Sequence, residues 1–376
     1  VTGCTIATFF GARDLGGARE ALRCEGRGVS YENLLARSDK LASGLLAAGA
    51  EPGDRFASLL RNSIEAVEVF LAAARIGAVV VPIAIGQRGL EVDYQLRESG
   101  ARWLVADPSG WDVARHLVGG DTGVRAIAVD AELWTPEGER ALSLEDLIAA
   151  GAGPAPTPPV GPGQSLLVRF ALGAAGLPRA WELSYGEILA DASGLVADFG
   201  LTADDVYVST PGRCWAADCD DLSLASWFAG ATVCLSPSRR FSPADHCRWL
   251  EANGATVTVA SSSELRMMLA SGALSAVDLA DLRLFCVVDS HVSPALLEEA
   301  ARILPHCELV GRYGHPGFAG ALAGLGAGEA PARPGSAGRA ATGRVLAILD
   351  PGGAELPAGC IGDVACRAVG KAAAGG

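Results

Sequence analysis

The stretch Ile64-Glu-Ala-Val-Glu-Val-Phe-Leu-Ala-Ala-Ala-Arg-Ile-Gly-Ala-Val-Val-Val-Pro82 carries two hydrophobic periods back to back. Ile64, Val67, Leu71 and Ala74 recur at helical spacing and place one apolar face on a helix that ends near Ile76. Gly77 opens the next run, and Gly77 to Pro82 is apolar without alternation, as a strand buried on both faces must be. A helix that delivers the chain directly into such a strand is half of a βαβ unit, and repeated βαβ units build a parallel sheet.

The same alternation extends in both directions. Toward the N-terminus, Ser30 is placed to cap a helix reaching about Ala48, with Leu34, Ser38, Leu41 and Leu45 on one stripe and Gly49 ending it. Toward the C-terminus, an amphipathic helix near Glu91 to Glu98 precedes strands at Arg102–Asp107 and Arg125–Asp130. The segment Gly151-Ala-Gly-Pro-Ala-Pro-Thr-Pro-Pro-Val-Gly-Pro-Gly163 supports neither helix nor central strand, because proline removes donors and fixes φ. It is a linker or an extended surface crossing.

Beyond it the rhythm returns, with strands near Ser165–Phe170, Val206–Ser209, Ala231–Leu235, Thr256–Val259, Leu282–Val288 and Glu308–Val310 and helices at Pro243–Asn253 and Pro294–Leu304. After Tyr313 the chain turns to glycine, alanine and proline. Two alternating runs follow, Arg344–Leu349 and Gly362–Arg367, with Asp350-Pro-Gly-Gly between them. The expected organisation is a first βα subdomain (1–150), a Pro/Gly-rich crossing (151–164), a second βα subdomain (165–312) and a β-rich subdomain with a low-complexity tail (313–376).

Composition bounds the function. Half of the 376 residues are hydrophobic and the mean hydropathy is +0.29, enough apolar surface for a large core. The longest apolar run, Ile76 to Ile85, is interrupted by Pro82, which excludes a membrane span. A net charge of −13 argues against a nucleic-acid partner, since acids outnumber the cations that would meet phosphates. Ten scattered cysteines without a C-x-x-C pair fit neither a disulfide framework nor a zinc knuckle and point to a reduced, cytoplasmic setting. Val1 at the start and Lys371-Ala-Ala-Ala-Gly-Gly376 at the end read as a piece of a longer polypeptide.

The stretch richest in possible chemistry is Phe170-Ala-Leu-Gly-Ala-Ala-Gly-Leu-Pro-Arg179, a glycine-bearing loop directly after a strand. Such loops turn backbone N–H groups toward phosphate oxygens, although by itself this one reads first as a plain tight turn. A second cluster, Cys214, Asp218, Cys219, Asp220 and Asp221 with His246-Cys247, matches no metal-ligand spacing and reads as a solvated acidic loop with half-buried cysteines, so no metal is expected. His291 and His315 read as ordinary surface or core histidines or as polar remnants of a site.

Taken together, Val29-Ser-Tyr-Glu-Asn-Leu34, Leu41-Ala-Ser-Gly-Leu45, Gly49-Ala-Glu-Pro-Gly-Asp54, Asn62-Ser63, Gly77–Pro82, Leu96-Arg-Glu-Ser-Gly-Ala-Arg102, Trp227-Phe-Ala-Gly-Ala-Thr-Val233, Arg333-Pro-Gly-Ser-Ala-Gly-Arg339 and Gly359-Cys-Ile-Gly-Asp-Val364 occur in the order of one family's motifs. Over most of residues 28–370 the chain resembles the adenylate-forming superfamily: acyl- and aryl-CoA ligases, peptide-synthetase adenylation domains and luciferases. The resemblance implies an α/β fold of two mostly parallel, helix-flanked sheets plus a small distorted β-barrel, the large N-terminal core without the small C-terminal domain. It also implies ATP and Mg²⁺ as the cofactors of acyl-adenylate formation.

The departures from the family's pattern fall on its chemistry. Its phosphate loop reads Tyr-Thr-Ser-Gly-Thr-Thr-Gly-x-Pro-Lys, whereas here the hydroxyl positions are Ala171, Leu172, Ala174 and Ala175 and the lysine position is Arg179. Gly173, Gly176 and Pro178 keep the loop's shape. Where the family has Tyr-Gly-x-Thr-Glu, with the glutamate on Mg²⁺, this chain has Tyr313-Gly-His-Pro-Gly317. Its small turn beside the adenine becomes Val287-Val-Asp-Ser-His291, with bulky Val288 for glycine. The chain stops after Arg367-Ala-Val-Gly370, before the ribose motif and the lysine-bearing domain.

The resemblance thus outlines a vestigial nucleotide site at Gly173, Gly176, Arg179, Asp289, Tyr313 and Gly314, with Trp215 and His315 beside the acyl pocket. The expectation is a degenerate domain that forms no acyl-adenylate, binds no cofactor and serves as a structural, docking or dimerisation module of a larger polyketide or peptide synthase. Its partners would be other synthase domains, a carrier protein or a second copy. One alternative is a working ligase with ATP and Mg²⁺, Arg179 serving as the phosphate cation and Asp289 or Asp218 as the metal ligand. Another is a non-catalytic small-molecule or nucleotide sensor.

Overall fold

The computed structural model describes residues 18–368, apart from 119–122, 131, 135–137, 139, 157, 159, 173–177, 212–221, 237–239, 289–291, 316, 330–331 and 333–334. The first half alternates β1 Glu20–Cys24, β2 Arg27–Ser30, α1 Tyr31–Ala47, β3 Arg55–Leu59, α2 Ile64–Arg75, β4 Val79–Pro82, α3 Gly89–Ser99, β5 Trp103–Ala106, α4 Pro108–Ala114, β6 Arg125–Ala128, β7 Leu142–Ser143, α5 Leu144–Ala150, β8 Ser165–Leu172 and β9 Pro178–Ser184. The second half continues with α6 Tyr185–Phe199, β10 Val206–Val208, α7 Leu222–Ala229, β11 Thr232–Leu235, α8 Pro243–Ala252, β12 Val257–Ser261, α9 Ser262–Ala270, β13 Leu284–Val288, α10 Pro294–Ile303, β14 Glu308–Gly314, β15 Ala321–Gly326, β16 Arg339–Ala340, β17 Arg344–Leu349 and β18 Asp363–Ala368.

Local chemistry sets the helix starts. Ser30 and Ser63 accept the Asn33 and Ala66 N–H groups at the heads of α1 and α2. Ser184 with Glu187, and Ser261 with Glu264, close reciprocal capping boxes on α6 and α9. The stripe Leu34, Ser38, Leu41 and Leu45 is buried as its spacing requires, and Val79 to Pro82 is buried at every position.

Seven strands form one sheet in the order β7-β6-β5-β3-β4-β8-β9, parallel except for β8–β9, and nine form the other in the order β16-β15-β14-β13-β12-β10-β11-β1-β2. The apolar contacts sort the helices into layers. Helices α1, α2, α5, α6 and α7 share a core with the facing sides of both sheets, α3 and α4 cover the outside of the seven-stranded sheet, and α8, α9 and α10 cover the outside of the nine-stranded one. Buried polar groups pin the central layer. The Tyr31 hydroxyl donates to the Ala231 carbonyl at 2.6 Å, Trp227 Nε1 to Ala21 at 2.8 Å and the Tyr185 hydroxyl to Ala74 at 2.9 Å.

This α/β architecture is the expected one, but three segments sit elsewhere than the chain order implied. Strands β8 and β9, read as the start of the second sheet at Ser165, extend the first: Val80 pairs in parallel with Leu167. The hairpin β1–β2 joins the second sheet, where Leu22 pairs with Val233. Strands β15 and β16 also join that sheet, antiparallel to β14. Of the expected β-rich unit, the described residues therefore contain the two-stranded ribbon β17–β18. The reason is common to all three: periodicity reveals a strand, whereas the choice of edge depends on contacts far away in sequence. Between α5 and β8 the described residues of the proline-rich segment form neither helix nor strand, and Ala155 and Val160 among them are buried.

Candidate functional site

Strand β8 continues to Leu172 and the chain returns as β9, so the glycine-bearing loop joins two antiparallel strands. Across this hairpin Arg169 pairs with Trp181 and Ala171 with Arg179, which sets these four on one face. The opposite face carries Val168, Phe170 and Ala180, packed with Val79 and Val81. The Phe170 ring also meets Tyr94 of α3 edge-on, with centroids 6.3 Å apart.

The Arg169–Trp181 face meets the turn after β14. Arg169 donates to the Phe318 carbonyl at 2.9 Å. The Trp181 indole stands perpendicular to the His315 imidazole with centroids 5.2 Å apart, and His315 meets Phe318 at 6.2 Å. The Arg179 guanidinium lies 4.4 Å from the Trp181 ring centroid, a cation–π contact. The Gly317 N–H donates to His315 Nδ1 at 3.0 Å, which assigns the ring proton of neutral His315 to Nε2. A Cβ on Gly317 would lie 2.5 Å from Cε3 of Trp181. The indole fills the space into which a side chain at 317 would extend.

Of the sequence-derived site residues, Arg179, Tyr313, Gly314 and His315 are described, and the stack through Trp181 joins Arg179 to His315. Tyr313 and Gly314 close β14 opposite Ala323 and Ala321 of β15. Gly173, Gly176, Trp215, Asp218, Asp289 and His291 lie outside the described residues. Val288 packs against the core between the sheets. Trp181, Arg169 and Phe318 went unnoticed in the sequence. The signal for Trp181 was its place two residues after Arg179, but the turn it meets is far along the chain.

Metal and thiol chemistry find no support among the described residues, which contain no group of three His, Cys, Asp or Glu placed to hold a metal. His246 and Cys247 sit inside the outer helical layer of the nine-stranded sheet. Burial pushes the Cys247 thiol up to about 11 and those of Cys24, Cys234 and Cys307 to about 12, so none is a thiolate near neutrality. No helix among the described residues is long and apolar enough to cross a membrane.

Fold and motif order converge on one assignment: the chain belongs to the AMP-binding enzyme family, whose profile matches residues 12–373. It is 29% identical to the indoleacetate–CoA ligase of Aromatoleum aromaticum, covering 93% of this chain and 67% of that protein. It is also 29% identical to the fatty acid–[acyl-carrier-protein] ligase ScoC of Streptomyces coeruleorubidus, covering 92% of this chain and 65% of that one. The chain thus spans about two thirds of the length of these curated relatives. Among solved structures it resembles a protein of Rhodopseudomonas palustris assigned as a long-chain-fatty-acid CoA ligase. That likeness has a TM-score of 0.84 at 27% identity, over 97% of this chain and 88% of the other.

Proposed function

We propose that this chain is an acid-ligase core whose phosphate and metal subsite has been replaced by side-chain packing, and that it serves as a docking module within a larger biosynthetic synthase. The observation that carries this reading is the Trp181 indole against Gly317. Mg²⁺ beside a triphosphate requires a hard oxygen at a fixed place. Position 317 supplies none, and its volume is taken by an apolar ring. The residues present do not fit the ion there.

Arg179 keeps a positive charge, but its guanidinium is engaged on the indole, and a planar fork does not replace a compact ammonium at a close phosphate contact. Ala171 offers no hydroxyl. Each lost transition-state donor costs about 3–4 kcal/mol, so joint loss removes useful turnover. The similarity to an acyl-carrier-protein ligase supports a carrier protein or a neighbouring synthase domain as the partner.

ATP–pyrophosphate exchange with a panel of acyl and aryl acids tests the reading, alongside calorimetric titration with Mg·ATP. Exchange at background and no saturable heat are expected. Exchange above background that is lost in Arg179→Ala would establish a working ligase with an atypical site, a reading favoured by the exposure of Arg179. Saturable ATP binding without exchange would establish a sensor. If the purified chain neither self-associates nor binds a carrier protein or synthase segment, the docking role fails.

A further inference from the structure

A half-open surface cleft of about 660 Å³ lies on the outer side of the seven-stranded sheet, between the C-terminal end of α3 and the turn that follows α4. Its buried wall includes Leu96, and its exposed mouth carries Arg97, Arg102 and His116, with one acid, Asp93, among the lining residues. None of these residues belongs to the β8–β9 hairpin or to the turn after β14, so the site is separate from the Trp181 stack.

In a molecule of net charge −13, the lining of this mouth gathers two arginines and a histidine against the one acid Asp93, with Asp54 and Glu51 outside the lining also facing Arg102. Part of this positive charge has a structural role. Arg97 lies in the last turn of α3 and His116 in the short 3-10 turn Arg115–Leu117 that follows α4, where cations offset the helix dipole. That role does not account for Arg102, which follows the left-handed cap residue Gly100. Nor does internal pairing exhaust the donors. Arg97 is bound to Asp93 through Nε at 2.8 Å, and Arg102 reaches Asp54 at 2.7 Å and Glu51 at 3.6 Å through one terminal nitrogen. A guanidinium carries five N–H groups, so each arginine retains donors, and His116 makes no hydrogen bond among the described residues.

The volume falls in the range of small-molecule sites, and an apolar wall with a few convergent polar groups is their usual lining. We infer that this cleft binds a small amphipathic organic anion, its carboxylate or phosphate head on Arg97, Arg102 and His116 and its apolar body against Leu96 and Leu117. Charge-assisted hydrogen bonds from two guanidinium groups orient the head. The wall selects against a bare inorganic anion.

The test titrates the intact chain with phenyl phosphate and with octanoate, following the His116 Cε1–H resonance, which is identified by its loss in His116→Gln. Inorganic phosphate and octanol serve as the two controls. Saturable displacement of that resonance by either amphipathic anion, at least tenfold tighter than by inorganic phosphate or octanol, is expected, and the better probe identifies the head group. The exposed double variant Arg97→Gln/His116→Gln should stay folded, with only the small fall in unfolding midpoint that loss of two exposed helix-end cations brings, and bind the preferred probe at least tenfold more weakly by calorimetry. Equal affinity for inorganic phosphate, undiminished binding in the double variant, or no saturable response below millimolar probe would each overturn the assignment.

Discussion

The indole of Trp181 stands where a side chain on Gly317 would have to go, 2.5 Å from the position of its Cβ. One residue lies on β9 and the other in the turn after β14. Their contact joins the edge of one sheet to the end of a strand in the other, and it makes the two positions interdependent.

Gly317→Glu should therefore destabilise the protein by about 1–3 kcal/mol through overpacking. Combined with Trp181→Val, which vacates the space, the cost should fall short of the sum of the single effects by at least roughly 1 kcal/mol, as contacting residues couple. Urea unfolding of the four proteins of the cycle measures the coupling. Strict additivity would show that the indole does not exclude a side chain there.

Gly320 combines a left-handed φ of 64° with a carboxylate in its side-chain space, since a Cβ would lie 2.0 Å from Asp191 Oδ1. Asp191 in turn faces Arg344 at 3.3 Å, and both side chains are nearly buried. Gly320→Ala must displace that pair, which binds the β17–β18 ribbon to α6, and should cost on the order of 3–5 kcal/mol. Gly353→Ala provides the control: its φ is 85° but the space around it is open, so only the backbone penalty of about 1–2 kcal/mol applies. Equal losses in the two variants would remove the pair from the argument.

His246 is 1% exposed, with neither ring nitrogen hydrogen-bonded, and burial lowers its pKa from 6.5 to about 4. The unfolded chain binds this proton from about pH 6.5 downward and the folded chain only near 4. Protonation therefore favours unfolding inside that window. Stability falls as pH falls from 6.5 to 4 and levels off below, by an amount on the order of 3 kcal/mol. His246→Leu should flatten this part of the stability profile relative to wild type, as read by chemical denaturation at pH 7, 5.5 and 4. An unchanged difference across the three would contradict it.

Asp205 shows the opposite sign. Burial raises its pKa, but hydrogen bonds from Arg283, the Thr202 N–H and the Thr256 hydroxyl outweigh burial and hold it below 3.8. Its contribution is present above the unfolded value and is lost as pH falls through the folded one. Arg283→Met leaves a carboxylate that is 4% exposed without its bidentate partner. Discounted for the partial exposure of the arginine, the loss at pH 7 should be about 2 kcal/mol. The variant's acid-induced fall in stability should also begin at higher pH, which circular dichroism titration would detect.

Part of the short-range order was legible in the sequence, whereas the reciprocal capping boxes of Ser184–Glu187 and Ser261–Glu264 went unread. Ser30 before the stripe Leu34–Leu45, the continuous apolar run of β4 and the proline-rich crossing each declared their local structure, because capping, periodicity and ring closure act within a few residues. Motif order outlined the family, and the alanines and glycines at the chemistry positions were visible as substitutions. Partners distant in sequence were not: β8 on β4, β1 on β11 and Trp181 on Gly317 each depend on how two sheets and five intervening helices close around one core. Sequence alone thus determined the α/β class and the AMP-binding family. Only the tertiary structure decided that the indole of Trp181 occupies the side-chain space of Gly317, because that requires a strand at the edge of one sheet and the turn after a strand of the other to be brought into van der Waals contact.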